Sequence, residues 1–294
     1  MFCEHFPVKP GNSYWFKQRN TVSFHDRKAA AQNRAKEIRE QTGLTWDTFD
    51  ASDIISKGYQ CIEPLLTTKQ TNEIKEYFEN KDMYDFYGTH EKFTLKNVPQ
   101  YVKMARTSTK TNLQCPHVID LITSRNVVSM ASEYLQSPAT LNCIFPLWSF
   151  KSSLPINMQL FHRDADDYKF VKIFILLSDT TERNGEQVYI NGSHSDDKLP
   201  KEMYNITRYS DEKIKQCFQK EQITSIYGKA GKCWLADTYG IHRGTPPTKT
   251  NRLLLQLQYT LDPTPIFNYK PFRYSKWDEL SDIVKYSTRM YLRR

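Results

Sequence analysis

Short strand-like segments separated by turn residues dominate the chain beyond residue 140, and they constrain its fold most strongly. The clearest is Val171-Lys-Ile-Phe-Ile-Leu-Leu177, whose β-branched and aromatic content is typical of a strand buried on both faces. The turn signals Asn184-Gly185 and Asn191-Gly192 flank another strand at 187–190. Later strands are predicted over 224–227, 232–236 and 252–260.

The earlier part of the chain has helical patterns instead. Residues 28–42 are rich in helix formers and end at Gly43, Thr67-x-x-Gln70 forms a capping box, and a helix is predicted over 124–136. Helices followed by strands predict a mainly β (α+β) protein, such as a jelly roll decorated with helices. We expect an N-terminal helical extension over 1–51 ahead of one domain over 52–294.

Composition excludes several classes of protein. The chain has 294 residues, of which 39% are hydrophobic and 25% charged, and its mean hydropathy is −0.67, which excludes a disordered tail protein, a collagen and a membrane span. The longest stretch without charge, 134–150, contains Pro138 and Pro146 and does not predict a membrane span. With no signal peptide, and six cysteines without a C-x-x-C pair, we expect a cytoplasmic protein with reduced thiols and no thiolate zinc site.

The net charge of +8 bears on the partner. A basic protein can contact nucleic acid, but no window carries five or six consecutive like charges. The sequence therefore favours a solvated basic surface, with a small anionic substrate or none, over nucleic acid, and it predicts no membrane partner. It predicts no oligomeric state.

One motif has the spacing of metal ligands. In His162-Arg163-Asp164, residues i and i+2 of an extended strand share a face, so an imidazole and a carboxylate converge. Two histidines and one carboxylate on one face are typical of non-haem Fe(II) oxygenases. A third ligand is available in His242, which lies 78 residues after Asp164 and just beyond a predicted strand.

The strand that begins at Arg252 has two different faces. Alternation puts Arg252, Leu254, Gln256 and Gln258 on one face, and an apolar set on the other. A guanidinium and two amides suit a cavity that binds a carboxylate, because arginine binds carboxylates through two parallel hydrogen bonds. The alternative is that Arg252 is only the charged start of an exposed strand.

Together these motifs resemble the Fe(II)/2-oxoglutarate-dependent dioxygenases, and within them the phytanoyl-CoA dioxygenase-like branch. The segments that carry the resemblance are 57–66, the H-x-D segment and its following strand at 161–180, Asn184-Gly185…Gly192-Ser193-His194, and the distal-histidine segment 231–245. The resemblance covers about residues 52 to 262.

The resemblance implies a double-stranded β-helix, or jelly roll, with flanking helices. It implies Fe(II) bound by His162, Asp164 and His242, the far carboxylate of 2-oxoglutarate bound by Arg252, and O2 as the oxidant. Thr245 would assist Arg252, although it stands three residues after the distal histidine where the family usually has two, and Gln159 would face the co-substrate or the substrate. Glu186 replaces a proline common in the branch and is expected to affect only a turn.

Two further residues are substrate candidates with a structural alternative. Asp166 could bind substrate or belong to a solvated acidic turn, and Lys172 could face the barrel cavity or cap the sheet edge. His194, in a turn after a strand, is expected to be structural.

The implied reaction is hydroxylation of an unactivated C–H bond of a small or medium organic metabolite, with release of succinate and CO2. Because Asp164 is present where related halogenases have a small residue, hydroxylation is favoured over halogenation. The alternatives are a catalytically silent jelly-roll binding module and a protein or nucleic-acid hydroxylase.

Overall fold

The structure is a computed structural model that describes residues 24–88, 91–195, 199–203, 208–264 and 269–294. The helices are α1 Phe24–Thr42, α2 Ser52–Lys57, α3 Thr68–Glu79, α4 Thr109–Leu113, α5 Val118–Thr123, α6 Arg125–Leu135, α7 Asp211–Cys217 and α8 Asp282–Thr288. The strands are β1 Tyr59–Ile62, β2 Met83–Asp85, β3 Lys92–Phe93, β4 Met104–Arg106, β5 Thr140–Ser149, β6 Phe161–His162, β7 Phe170–Leu176, β8 Gln187–Ile190, β9 Arg208–Tyr209, β10 Ile223–Ile226, β11 Cys233–Ala236, β12 His242–Gly244, β13 Arg252–Thr260, β14 Phe272–Arg273 and β15 Leu292–Arg293.

Two facing antiparallel sheets form the core of the protein. In the described residues the larger sheet has the order β1-β11-β7-β13-β5-β4-β2-β3, and the smaller one β10-β8-β12-β6-β9. The chain crosses between them as it runs from β5 to β13, since β5, β7, β11 and β13 lie in the larger sheet and β6, β8, β10 and β12 in the smaller. This alternation is that of a jelly roll, and the predicted fold class is confirmed.

The predicted elements agree closely with the structure. Strands β8 and β13 have the predicted bounds, while β7 begins and ends one residue earlier than predicted. The capping box before α3 is present, because the Thr67 side chain accepts from the Gln70 backbone N–H and the Gln70 side chain accepts from that of Thr67. The Ser124 side chain caps α6 by accepting one hydrogen bond from the Val127 N–H.

Strand β13 has the two faces that its sequence predicts. It lies between β5 and β7, and its alternate residues Leu253, Leu255, Leu257 and Tyr259 belong to the main hydrophobic core. The other face, which begins with Arg252, is also buried. Arg252 is therefore not the charged start of an exposed strand.

Helix α1 packs on the barrel. Ala31, Ala35 and Ile38 join the main hydrophobic core, and the Arg34 guanidinium donates to both carboxylate oxygens of Asp262, at 2.9 and 2.7 Å. In the part of the chain that the structure describes, no helix has the length and apolar character needed to cross a bilayer.

Candidate metal centre

Two histidines face each other across the smaller sheet. His162 ends β6 and His242 begins β12, and the two residues are direct partners in the antiparallel pairing, with ring centroids 4.3 Å apart. Asp164 follows β6, where its backbone N–H donates to the Thr238 carbonyl. The pairing register thus brings together residues 80 apart in sequence (162 and 242).

The three side chains point toward one another. Each imidazole Nε2 lies 3.6 Å from an Asp164 carboxylate oxygen, Oδ1 for His162 and Oδ2 for His242. One ligand atom from each of the three residues lies within 4.8 Å of the others. Within the described ranges, this is the one group of three or more His, Cys, Asp or Glu side chains that could hold a metal ion.

Backbone carbonyls fix both imidazole rings. His162 Nδ1 donates to the Leu160 carbonyl at 2.8 Å, and His242 Nδ1 donates to the Gly240 carbonyl at 2.9 Å. With the proton on Nδ1, each Nε2 presents a lone pair toward Asp164. The sequence does not reveal these partners, although each carbonyl belongs to the residue two positions before its histidine.

The electrostatics suit a divalent cation. Burial lowers the pKa of His162, and it lowers the pKa of His242 to about 3, so both rings are neutral near pH 7. Burial would raise the pKa of Asp164, but Lys172 and the two imidazoles outweigh it, and the carboxylate stays ionised. Two neutral imidazoles and one carboxylate are the donor set that non-haem Fe(II) prefers, so the residues fit this metal.

Lys172 lies inside the barrel rather than at a sheet edge. Its Nζ donates to Asp164 Oδ2 at 2.6 Å and lies 3.6 Å from Asp166 Oδ2. Asp166 also accepts from Gln258 Nε2 at 3.0 Å, so it belongs to this buried network and not to a solvated turn. Burial raises the pKa of Asp166, whereas the two carboxylates raise the pKa of Lys172 despite its burial.

We expect Lys172→Met to destabilise the metal-free protein more than the metal-bound one. The substitution leaves Asp164 and Asp166 buried without their cation, which costs about 3–5 kcal/mol. A divalent ion would neutralise part of that charge, so metal should raise the melting temperature more in the variant than in the wild type. Thermal unfolding with and without Mn²⁺ measures this, with Lys96→Met, an exposed lysine, as control. An equal metal-induced shift in both proteins contradicts the expectation.

Arg252 is buried in the same barrel. Its Nη1 donates to the Gly185 carbonyl at 2.6 Å and its Nη2 to Ser149 Oγ at 3.1 Å, while Nε is buried with no hydrogen-bond partner. Burial lowers its pKa to about 10, against the opposing charge of Glu186, so it remains charged near pH 7. A buried cation with an unsatisfied N–H fits an anionic ligand.

Gly244 occupies the position two residues after His242. A Cβ there would lie 3.1 and 3.2 Å from Arg252 Nη2 and Nη1, so glycine leaves room for the guanidinium. Thr245 instead directs its hydroxyl at Glu186, donating to Oε2 at 2.6 Å. Glu186 is thus buried beside Arg252 rather than confined to a turn, a placement that its position after Asn-Gly did not reveal.

The other predicted residues lie outside the cavity around the metal centre. The Gln159 side chain is buried, with Oε1 accepting from the Ile156 N–H at 3.0 Å and Nε2 left without a partner. His194 contacts the Ile55 carbonyl at 3.1 Å through Nε2, consistent with a structural role. The cavity itself measures about 50 Å³, and its lining includes the three candidate ligands with Lys172, Arg252, Gln256, Phe174 and Leu254.

Two buried hydrogen bonds to Asp237, which together we call the brace, hold the segment that leads into His242. The Asp237 carboxylate accepts from Tyr134 Oη at 2.5 Å, and the Asp237 carbonyl accepts from Tyr189 Oη at 2.7 Å. Gly240 packs against this brace, because a Cβ there would lie 1.9 Å from Tyr189 Oη. Since the Gly240 carbonyl orients His242, the brace supports the metal centre.

We expect Gly240→Ala to weaken metal binding by about 10- to 100-fold, as does the loss of the group that hydrogen-bonds to a metal-binding histidine. The added methyl must displace Tyr189 or the loop, at a cost of about 1–3 kcal/mol or more in stability. Calorimetric titration with Mn²⁺ and chemical denaturation measure the two effects. Gly43→Ala is the control for metal affinity only, because its added Cβ meets no atom but its φ of +63° makes alanine cost stability there. Unchanged metal affinity in Gly240→Ala contradicts this role of the glycine.

Solved structures share this fold. No protein-family model matches the sequence, and no curated protein matches it. HygX from Streptomyces hygroscopicus, solved with nickel, 2-oxoglutarate and hygromycin B bound, superposes with a TM-score of 0.51 at 15% identity, over 75% of this chain and 88% of its own. EctD from S. alaskensis, solved with 2-oxoglutarate and 5-hydroxyectoine, gives 0.51 at 14% identity, over 74% and 79%.

This chain has the jelly-roll fold of these two proteins, both of which were solved with 2-oxoglutarate bound. The similarity lies in the backbone, and the arrangement of His162, Asp164, His242 and Arg252 is observed in this chain itself.

Proposed function

We propose that this protein is an Fe(II)- and 2-oxoglutarate-dependent dioxygenase. It hydroxylates an unactivated C–H bond of a small or medium organic metabolite, R–H + 2-oxoglutarate + O2 giving R–OH + succinate + CO2. The observation that carries the proposal is the buried His162, Asp164 and His242 cluster, whose imidazole Nε2 atoms face the carboxylate at 3.6 Å while their Nδ1 atoms are held by carbonyls.

His162, Asp164 and His242 would hold Fe(II), which supplies the activation of O2 when it is bound. Three protein ligands leave positions open for co-substrate and oxidant. Arg252 would bind the far carboxylate of 2-oxoglutarate, since it lines the same cavity and keeps a buried Nε without a partner. Leu254 and Phe174 line the cavity and would exclude water, which strengthens the Arg252 interaction.

Asp164 would remain an ionised ligand because Lys172 donates to its Oδ2 at 2.6 Å. We place Thr245 as a residue that positions Glu186 beside Arg252, rather than as a direct partner of the guanidinium. Lys172 lines the cavity and remains a candidate for substrate binding. Gln159 and Asp166 do not line the cavity, and we assign them no contact with the substrate. The catalytic domain in this proposal is 52–294. The described part of the extension 1–51 packs on it through α1, and residues 1–23 lie outside the described residues.

Succinate release tests the proposal. The purified protein is incubated with Fe(II), 2-oxoglutarate, ascorbate and O2, with and without a panel of small carboxylated, phosphorylated and hydroxylated metabolites. We expect succinate formation that requires Fe(II) and O2, is stimulated by one class of metabolite, and accompanies a product heavier by one oxygen atom from labelled O2. Binding of Fe(II) and 2-oxoglutarate with no succinate from any mixture would instead support a silent binding module.

A further inference from the structure

A second, larger cavity lies between helix α1 and the barrel. Its volume is about 550 Å³, and it shares no lining residue with the cavity around the metal centre. Helix α1 forms one wall, and the opposite wall comes from the C-terminal end of α6 and from residues 168–169 and 237–239. Residues 168–169 follow shortly after Asp164 in the sequence, and residues 237–239 shortly precede His242.

The charges around this cavity are unbalanced. Its lining holds four permanent cations and, among the described residues, a single carboxylate, that of Asp237. Asp237 is already engaged, since it accepts from Tyr134 Oη at 2.5 Å and from the Tyr239 N–H at 2.9 Å. The four cations are Arg27, Lys28, Arg39 and Lys169.

No carboxylate of the described residues pairs with these cations. The Arg27 guanidinium donates to the Asp167 carbonyl, and to the Tyr168 carbonyl at 3.1 Å, and Arg39 donates to the Gln136 carbonyl. In the described part of the chain, the ammonium groups of Lys28 and Lys169 have no hydrogen-bond partner. Lys169 lies over the Tyr134 ring, 4.4 Å from its centroid.

Cationic groups in and beside this cavity lie close enough to repel one another at two places. Burial lowers the pKa of Lys169, and the nearby Lys28 lowers it further, against the attraction of Asp237. The Tyr239 ring lies between two guanidiniums, with Arg27 Cζ at 3.8 Å and Arg163 Cζ at 3.9 Å from its centroid. An anion placed among these groups would relieve this repulsion and satisfy donors that the protein leaves free.

We propose that this cavity is a binding site for a small organic anion that carries a phosphate or carboxylate group, held by Lys169 and Lys28 together with Arg27. The tyrosine rings of the lining would pack against its organic part. This site does not require iron. It also gives helix α1 a role, because Arg27 and Lys28 belong to that helix and the site is incomplete without them.

Calorimetric titration of the full chain with inorganic phosphate, in metal-free buffer, tests the proposal. We expect saturable binding, weakened about 10- to 100-fold by Lys169→Met, because one hydrogen bond to a charged group is lost. Lys169→Arg should retain binding, which separates loss of charge from loss of fold. The control is Lys96→Met, which removes an exposed lysine outside the cavity and should bind as the wild type does.

Further probes separate the sources of the anionic group. Glycerol phosphate and citrate should compete with inorganic phosphate, and whichever binds more tightly identifies the preferred group. The proposal is overturned if no saturable phosphate binding occurs, if Lys169→Met binds like the wild type, or if only an oligonucleotide binds. The outcome is independent of the dioxygenase proposal, since these titrations contain no iron and no 2-oxoglutarate.

Discussion

Replacing His242 by alanine is expected to weaken Fe(II) binding by more than about 100-fold. Losing only the group that hydrogen-bonds to a metal-binding histidine already lowers metal affinity by about 10- to 100-fold. The Nε2 lone pair of His242 is one of three ligands, and no other histidine among the described residues lies near enough to replace it. Turnover of 2-oxoglutarate should fall to background in the same variant. Anaerobic calorimetric titration with Fe(II) measures the affinity, and succinate formation measures the turnover.

The control for this variant is His194→Ala. His194 also holds a backbone carbonyl, that of Ile55, but does not line the cavity around the metal centre. The His194→Ala variant should bind Fe(II) with the affinity of the wild type. Melting temperatures of both variants show whether the fold survives. Wild-type Fe(II) affinity in a folded His242→Ala protein would remove this residue from the ligand set.

Replacing Arg252 by methionine is expected to raise the KM for 2-oxoglutarate by about 100-fold or more, since truncating one partner of a buried, hydrogen-bonded charge pair costs about 2–5 kcal/mol. Fe(II) affinity without 2-oxoglutarate should stay near the wild-type value. The variant also leaves the Gly185 carbonyl and Ser149 Oγ without their donor, at a cost of about 1–3 kcal/mol in stability.

Arg243→Lys is the matched control for Arg252. Arg243 lies on β12, the strand that precedes β13 in the chain, but its guanidinium pairs with Asp211 at 2.7 Å and covers the Phe161 ring, outside the cavity. Its KM for 2-oxoglutarate should not change. If Arg252→Met raises KM no more than Arg243→Lys does, Arg252 does not bind the co-substrate.

The sequence predicts the barrel well because its strands are locally consistent. In β13 the alternation of leucine with polar residues determines both faces, and the Asn-Gly signals delimit β8. Strand β5 is harder to predict. It contains Asn142 and Pro146, residues depleted in strands, and its ten-residue length becomes favourable only through pairing with β13 along its whole length and with β4 at its end.

The candidate ligands are predictable because the H-x-D spacing places two of them on one face, and the distal histidine follows a strand. The groups that hold these ligands in place are not predictable. The carbonyls of Leu160 and Gly240 carry no side-chain signal, and their direction depends on the local backbone path. The partners of Lys172 likewise depend on the fold, since Asp164 and Asp166 lie on a loop whose path no periodic pattern describes.

The anion cavity illustrates a third limit of sequence patterns. Arg27 and Lys169 are separated by 142 positions in the sequence, and each residue alone indicates only a basic surface. Only the packing of α1 on the barrel brings them to one cavity. The net charge of +8 indicates an anionic partner without indicating where it binds.

An anaerobic titration of the metal-free protein with Fe(II) and 2-oxoglutarate, followed by visible absorption, tests whether this site binds both of them. When 2-oxoglutarate chelates iron held by His162, Asp164 and His242, a metal-to-ligand charge-transfer band should appear and saturate at one equivalent of Fe(II). The band should be absent from His162→Ala. A wild-type protein that develops no band, or a His162→Ala protein that develops the same one, would show that these residues do not hold iron and 2-oxoglutarate together.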